Sequence, residues 1–149
     1  MERITNNPFD AAASTLAARL QATGVAGARV DLYDGSDPDE VREIVRQRGP
    51  AVMIRAVGAK AAPGEGPLSA DCADVQVQIL GAAKPAATRT AWSYAWAAYA
   101  ALRNTDGGVS WLSEGLRFAA AQIEDETKDC LIVSITMAAH VDLGEWSAA

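Results

Sequence analysis

Residues 51–57 read AVMIRAV and residues 74–80 read DVQVQIL, and these two stretches decide the predicted fold class. The first stretch is apolar nearly throughout, which is typical of a central strand covered on both faces. The second alternates polar and apolar side chains, so one of its faces is expected to meet water or a partner. The chain is therefore predicted to contain a β-sheet with a buried centre.

Three helices and three further strands are predicted around these two strands. Asn7 and Asp37 can cap the first two helices. A proline follows each of them at the first helical position, which proline favours. The predicted helices span residues 8–23, 38–48 and 88–103, and the further strands span 29–34, 115–123 and 130–143. The order α-β-α-β-β-α-β-β predicts a single α+β (mixed α/β) domain over residues 1–149, with a mixed sheet flanked by helices.

The third predicted helix is rich in alanine and carries Trp92 and Trp96. Their spacing places them on one side of the helix together with Tyr99. Large aromatic side chains on one side of a helix are interpreted as core that packs on the sheet. A subunit interface is the alternative, because Trp and Tyr are enriched at protein contacts.

Composition and charge exclude several classes of protein. The chain carries 13 Lys and Arg against 19 Asp and Glu, a net charge of −6, which disfavours a protein that binds nucleic acid through its phosphates. With 21% charged residues, the composition is that of a globular domain and not of a disordered or membrane protein. The first residues lack the apolar run of a signal peptide, and no stretch approaches the ~20 apolar residues that span a bilayer. A cytoplasmic protein with no membrane partner is predicted.

Residues that usually carry catalysis or bind metals are few in this chain. His140 is the only histidine, and it is interpreted as a structural or exposed residue of the last strand. One histidine and the distant Cys72 and Cys130 do not make a zinc ligand set, and there is no nucleotide-binding loop motif. We therefore predict a protein that is not an enzyme and has no catalytic, metal or cofactor-binding residues. An enzyme that pairs His140 with a distant carboxylate is the alternative.

The longest predicted loop spans residues 58–71. Its fourteen residues, which include three glycines and two prolines, are too many for a tight hairpin turn. Loops of this length in small domains are usually functional or disordered. We expect the loop to be mobile in a free subunit and ordered against a partner. The predicted contact residues are Lys60, Pro63, Glu65, Pro67 and Leu68.

Segments spread over nearly the whole chain carry a resemblance to a known family. They are the opening helix 8–23, the strand near 30–33, the capped acidic helix 38–48 that leads through GPAVMI into the central strand, the alternating strand 74–80, the Trp-bearing helix, and the closing hairpin that ends with ITMAAHV at 135–141. In this pattern the chain resembles the tail terminator (tail completion) proteins of long-tailed bacteriophages, in particular the minor tail protein family of Mu-like prophages.

The resemblance implies a structural protein of the virion, located in the tail at the neck after assembly in the host cytoplasm. It implies a homo-oligomeric ring, typically a hexamer, that seats on the last ring of the tail tube protein and stops its polymerisation. The ring would also offer a docking face to the head–tail connector protein, and DNA would pass through its lumen only as cargo. An acidic chain is compatible with this role, because an anionic lumen repels DNA. Another neck or tail component (a head–tail adaptor or a tube subunit) and a small-ligand-binding α+β domain are the alternatives.

Overall fold

The described residues form three helices and five strands in the order expected from the sequence. The structure, a computed structural model, describes residues 7–33, 37–61, 72–85, 90–103, 112 and 116–143. The helices are α1 (Pro8–Thr23), α2 (Pro38–Arg48) and α3 (Ala91–Arg103), and the strands are β1 (Arg29–Leu32), β2 (Ala51–Ala61), β3 (Cys72–Ala83), β4 (Arg117–Glu126) and β5 (Leu131–Asp142). The predicted α+β class and the predicted order of elements are confirmed.

All five strands belong to one mixed sheet with the strand order β1-β2-β3-β5-β4. β1 runs parallel to β2, and every other neighbouring pair is antiparallel. β3 and β5 form the centre and pair over their full lengths, from Cys72 opposite Asp142 to Ala83 opposite Leu131. The two edges of the sheet are β1 and β4.

The two faces of the sheet are covered unequally. The helix-covered face packs against α1 and α3, and its side chains form the main core with Leu16, Leu20 and Leu102. The other face, which we call the half-covered face, packs against α2 only at one end. There Val41 and Val45 contact a smaller cluster of side chains from the sheet, and these are Ala51, Met53, Leu80, Ala82 and Ile132.

The ends of α1 and α2 follow the predicted capping chemistry. The side-chain oxygen of Asn7 accepts a 2.8 Å hydrogen bond from the backbone N–H of Asp10. The carboxylate of Asp37 likewise accepts from the N–H of Glu40 at 3.0 Å. Gly24 and Gly49 end the two helices with φ angles of +80° and +89°, values that glycine adopts without steric cost.

The predicted start of the loop at residue 58 is wrong. β2 continues to Ala61, and Gly58 and Lys60 pair with Gln76 and Asp74 of β3. The register shifts between Ala56 and Gly58, which marks an irregularity in β2. Because β3 supplies a partner for each of these residues, pairing outweighs the weak strand preference of glycine. The rest of the predicted loop, residues 62–71, lies outside the described residues.

The interpretation of Trp92 and Trp96 as core is also wrong, because these side chains are 36% and 51% exposed. The side of α3 that faces the sheet carries mainly small residues, and a Cβ added at Gly81 of β3 would overlap the carbonyl oxygen of Ala91. The helix thus lies too close to β3 for indole rings to fit between them. The buried residues of α3 are Ala91, Tyr94, Ala95, Ala98, Tyr99 and Leu102.

The last hairpin also differs in its bounds. The connection between the predicted strands 115–123 and 130–143 is shorter in the structure, because β4 continues to Glu126 and β5 begins at Leu131. Glu124 and Asp125 are therefore strand residues whose side chains have partners in the sheet and in α2.

Candidate functional site

Only one of the predicted contact residues lies in the described part of the chain. Lys60 is exposed near the end of β2, opposite Asp74 of β3. Pro63, Glu65, Pro67 and Leu68 lie outside the described residues. The described residues therefore contain only Lys60 of the predicted contact site.

The most distinctive surface is edge strand β4 with the adjoining side of α3. β4 has ten residues with the sequence RFAAAQIEDE, and nine of them are exposed. In the described part of the chain, only β5 pairs with β4. An edge strand offers unpaired N–H and C=O groups, and natural proteins usually block such edges with lysine, proline or a covering element. The N-terminal half of β4 contains residues 118–121, which are one phenylalanine and three alanines.

Aromatic side chains join β4 to α3. The ring centroids of Trp96 and Tyr99 are 5.7 Å apart, and those of Tyr99 and Phe118 are 6.3 Å apart. The guanidinium carbon of Arg103 lies 5.4 Å from the Trp96 ring centroid and 5.3 Å from that of Tyr99, within the range of cation–π attraction. Tyr99 is buried, whereas Phe118 is 55% exposed. We call Trp96, Phe118 and Ile123, which are all exposed, together with the outer edge of β4, the β4 edge surface.

A chain of polar side chains fixes β4 to the centre of the half-covered face. Glu124 accepts hydrogen bonds from Ser134 at 2.8 Å and from Gln122 at 2.6 Å, and the amide of Gln78 lies 3.5 Å from the same carboxylate oxygen. Arg55 donates to Gln78 at 2.7 Å. Ser134 and Gln78 are buried, so these bonds satisfy groups that would otherwise be costly to bury. The network therefore holds the edge strand in a defined position.

His140 lies farther along the same face. Its Nδ1 atom is 3.4 Å from Oδ1 of Asp74, and the same oxygen is 2.7 Å from a guanidinium nitrogen of Arg117. The His140 side chain is about 40% exposed. This contact between a histidine and a carboxylate is the arrangement on which the alternative of an enzyme would depend. Arg117 of β4 contacts the same carboxylate, so Asp74 of β3 also links β4 and β5.

A cleft with a volume of about 620 Å³ lies between α2 and the turn that joins β4 to β5. Its two arginines are matched by acids, since Arg42 pairs with Asp39 and Asp125 and Arg46 pairs with Glu43, and the lining also includes Lys84 and Lys128. The lining also includes Cys130, and burial raises the pKa of its thiol, which keeps the sulfur protonated and weakly nucleophilic near neutral pH. The Cys130 thiol is therefore a poor candidate for a catalytic nucleophile in this cleft.

The described residues were also assessed for metal-binding clusters and for membrane-spanning helices. No group of three or more His, Cys, Asp or Glu side chains is placed there to hold a metal ion. Over the same ranges, no helix is long and apolar enough to cross a membrane.

Comparison with known proteins adds no relative. No protein-family model matches the chain, and no curated protein matches it at a significant level. A function must therefore be inferred from the chemistry of its own residues and surfaces.

Proposed function

We propose that this chain is a structural subunit of a closed homo-oligomeric ring that terminates the tail tube of a long-tailed bacteriophage. The observation that carries the proposal is the β4 edge surface, a ten-residue strand left exposed beside an aromatic cluster. Exposed strand edges attract other strands, and this one carries the apolar run 118–121, so a protein that keeps such an edge is expected to cover it in an assembly.

The internal structure of the sheet also suits a role in assembly. β4 is held to β5 along its length and to Ser134 and Gln78 by side-chain hydrogen bonds. A rigid interface loses little conformational freedom on binding, which favours association. A structural role of this kind requires no catalytic residue, cofactor or metal.

The proposed partners come from the resemblance noted above. They are further copies of the chain in a hexameric ring, the tail tube protein on one side and the head–tail connector protein on the other. The net charge of −6 per subunit favours a ring through which DNA slides without binding.

The molar mass of the purified protein tests this proposal. We expect light scattering at several concentrations to give a closed oligomer, either alone or after addition of purified tail tubes, and negative-stain images to show rings at the tube ends. A strict monomer that also fails to bind tail tubes would contradict the proposal.

Tube growth distinguishes the proposed terminator from related tail components. When the chain is added to polymerising tube protein, a terminator arrests elongation and shortens the final tubes. A tube subunit would instead polymerise alone, and a head–tail adaptor would leave tube length unchanged. A small-ligand-binding domain would show none of these effects.

A further inference from the structure

The two edges of the sheet are connected by continuous rows of paired residues. Each row starts in β1, crosses β2, β3 and β5, and ends in β4. The first row is Arg29, Ala51, Ala82, Ile132 and Asp125, and the second is Val30, Val52, Gly81, Val133 and Ile123. The third is Asp31, Met53, Leu80, Ser134 and Gln122, and the fourth is Leu32, Ile54, Ile79, Ile135 and Ala121.

The two ends of each row are chemically complementary. The first row ends in a cation at Arg29 and an anion at Asp125. The third ends in the polar pair Asp31 and Gln122. The second and fourth rows end in apolar residues on the helix-covered face, where Ile123 and Leu32 are exposed. Directly paired residues lie on the same face of the sheet. The two end residues of each row therefore lie on the same face, where they could meet across a contact between subunits.

Strand direction permits one copy to extend the sheet of another. β1 and β2 are parallel, and three antiparallel steps then lead through β3 and β5 to β4. β4 therefore runs opposite to β1. If neighbouring subunits are related by a rotation that keeps the strand axes aligned, β4 of one lies antiparallel to β1 of the next.

We propose that β4 of one subunit pairs with β1 of the next copy in register, so that the sheet continues from subunit to subunit. Arg29 then lies opposite Asp125 of the neighbour, Val30 opposite Ile123, Asp31 opposite Gln122, and Leu32 opposite Ala121. The register of β4 shifts between Ile123 and Asp125, so Glu124 is an extra residue of β4 between the first two pairs. The contact joins two different surfaces of the chain, and such contacts close into rings when the rotation between copies permits. The proposal deepens the proposed function, on whose ring of identical subunits it rests.

A second copy is a better occupant of the β4 edge than an unrelated strand, because this chain itself carries the complementary edge. Self-pairing of two β4 strands would place Arg117 opposite Glu126, but it would leave β1 with Leu32 uncovered. Pairing β4 with β1 covers the whole of β1 and the part of β4 from Ala121 to Asp125 in every subunit.

Docking changes contacts that exist within one subunit. Arg29 lies 3.3 Å from the carboxylate of Asp31, and Asp125 pairs with Arg42, so each shares or exchanges its partner when the two subunits meet.

A further cost lies at the carbonyl of Val30. The N–H groups of Arg29 and Tyr33 bond to β2, so the alternate residue Val30 directs its backbone groups to the free edge. Its carbonyl oxygen already accepts a 2.9 Å hydrogen bond from the side-chain amide of Gln21. Gln21 is exposed, so its amide can bond to water when a neighbouring strand displaces it.

Disulfide trapping between two single variants tests the pairing. Asp31 directs its backbone groups to β2, so its contact with Gln122 of the neighbour is a pair without direct backbone hydrogen bonds, where opposed side chains come closest. Asp31→Cys and Gln122→Cys are each prepared in a Cys72→Ser background, mixed at equal concentration with and without tail tubes, and oxidised. A mixture of Asp31→Cys with Arg117→Cys is the control. Arg117 lies on the same face of β4 as Gln122 but in a different row, so the proposed register does not place it opposite Asp31.

We expect a covalent dimer in the mixture of Asp31→Cys and Gln122→Cys, and none in either variant alone or in the control. Absence of that dimer overturns the pairing, as does equal trapping in the control. The tube-growth assay keeps the two proposals distinct. Tube arrest without trapping rejects only the β4–β1 contact, and trapping without tube arrest rejects only the terminator function.

Discussion

Tyr99 of α3 and Phe118 of β4 meet edge to face, with their ring planes at 72° and their centroids 6.3 Å apart. Tyr99 is buried and Phe118 is largely exposed, so the contact joins the core to the β4 edge surface. Tyr99 therefore packs against β4, and the Phe118 ring remains available to a partner.

Phe118→Ala should weaken self-association more than it weakens the fold. The lost aromatic contact is worth about 0.5–1.5 kcal/mol in the monomer. In an assembly, each interface would also lose the area that Phe118 buries against a neighbour. Denaturant titration and sedimentation at several concentrations measure the two effects. Val57→Ala, which truncates an exposed apolar residue of β2 away from both edges, is the control, and equal loss of association in both variants would contradict this role of Phe118.

Arg29→Glu should weaken association between subunits, because it places two anions opposite each other at the end of the first row. It also removes the ion pair of Arg29 with Asp31 in the same subunit, so denaturant titration of the monomer accompanies the association measurement. The expected change is about 0.5–1 kcal/mol for each contact at low salt, as for other exposed ion pairs, and it should shrink as salt is added. Lys84→Glu makes the same change of net charge away from both edges and is the control. A salt-dependent effect of the same size in both variants would indicate net charge as the cause.

Gly81→Ala should destabilise the fold by about 1–3 kcal/mol, because the added methyl group overlaps the backbone of α3 at Ala91. The control is Gly58→Ala, since an added Cβ at Gly58 meets no atom within 4 Å. Chemical denaturation of both variants provides the comparison. If Gly81→Ala unfolds at the same denaturant concentration as the original protein, α3 does not lie as close to β3 as described.

Cys130 should resist alkylation until the protein unfolds. Burial raises the pKa of its thiol, so the reactive thiolate is scarcer at mildly alkaline pH than in an ordinary cysteine. Cys72 is only partly buried and should react first. Iodoacetamide labelling at pH 8, with and without denaturant, followed by mass analysis of the peptides, measures the difference. Equal labelling rates in the native protein would show that the environment of Cys130 is open.

His140→Ala should leave assembly intact, because the proposed function requires no general base. Asp74 keeps its ion pair with Arg117 when the imidazole is removed. The measurements are ring formation and tube arrest, with thermal melting as the check on folding. Loss of tube arrest in a folded variant would favour the alternative in which His140 and Asp74 act together in chemistry or binding.

Local chemistry made most of the fold predictable. Capping by Asn7 and Asp37 and the glycines that follow each helix give α1 and α2 their bounds without reference to the rest of the chain. Alternation in residues 74–80 likewise identified β3, although the strand extends beyond both ends of that stretch. These signals lie within a few residues, so they do not depend on tertiary packing.

The errors arose where a distant segment decides the outcome. Trp96 is exposed because α3 approaches β3 at Gly81, a contact that helical periodicity does not contain. Lys60 belongs to β2 because Asp74 lies opposite it. The β4 edge surface was missed as a site because a strand's edge position depends on the order of strands in the sheet. The signal available in the sequence was the run of small and aromatic residues at 118–121 without lysine or proline.

The rows that cross the sheet have a consequence for how the sequence can evolve. Arg29 and Asp125 lie four strand spacings apart in one subunit, about 19 Å, which is too far for direct contact. If they meet between copies, a charge reversal at one position is tolerated when the other reverses as well. Homologous sequences would then show these two positions changing together, although the two residues do not touch within one subunit. Such coupled substitutions would record the subunit contact in the sequences themselves.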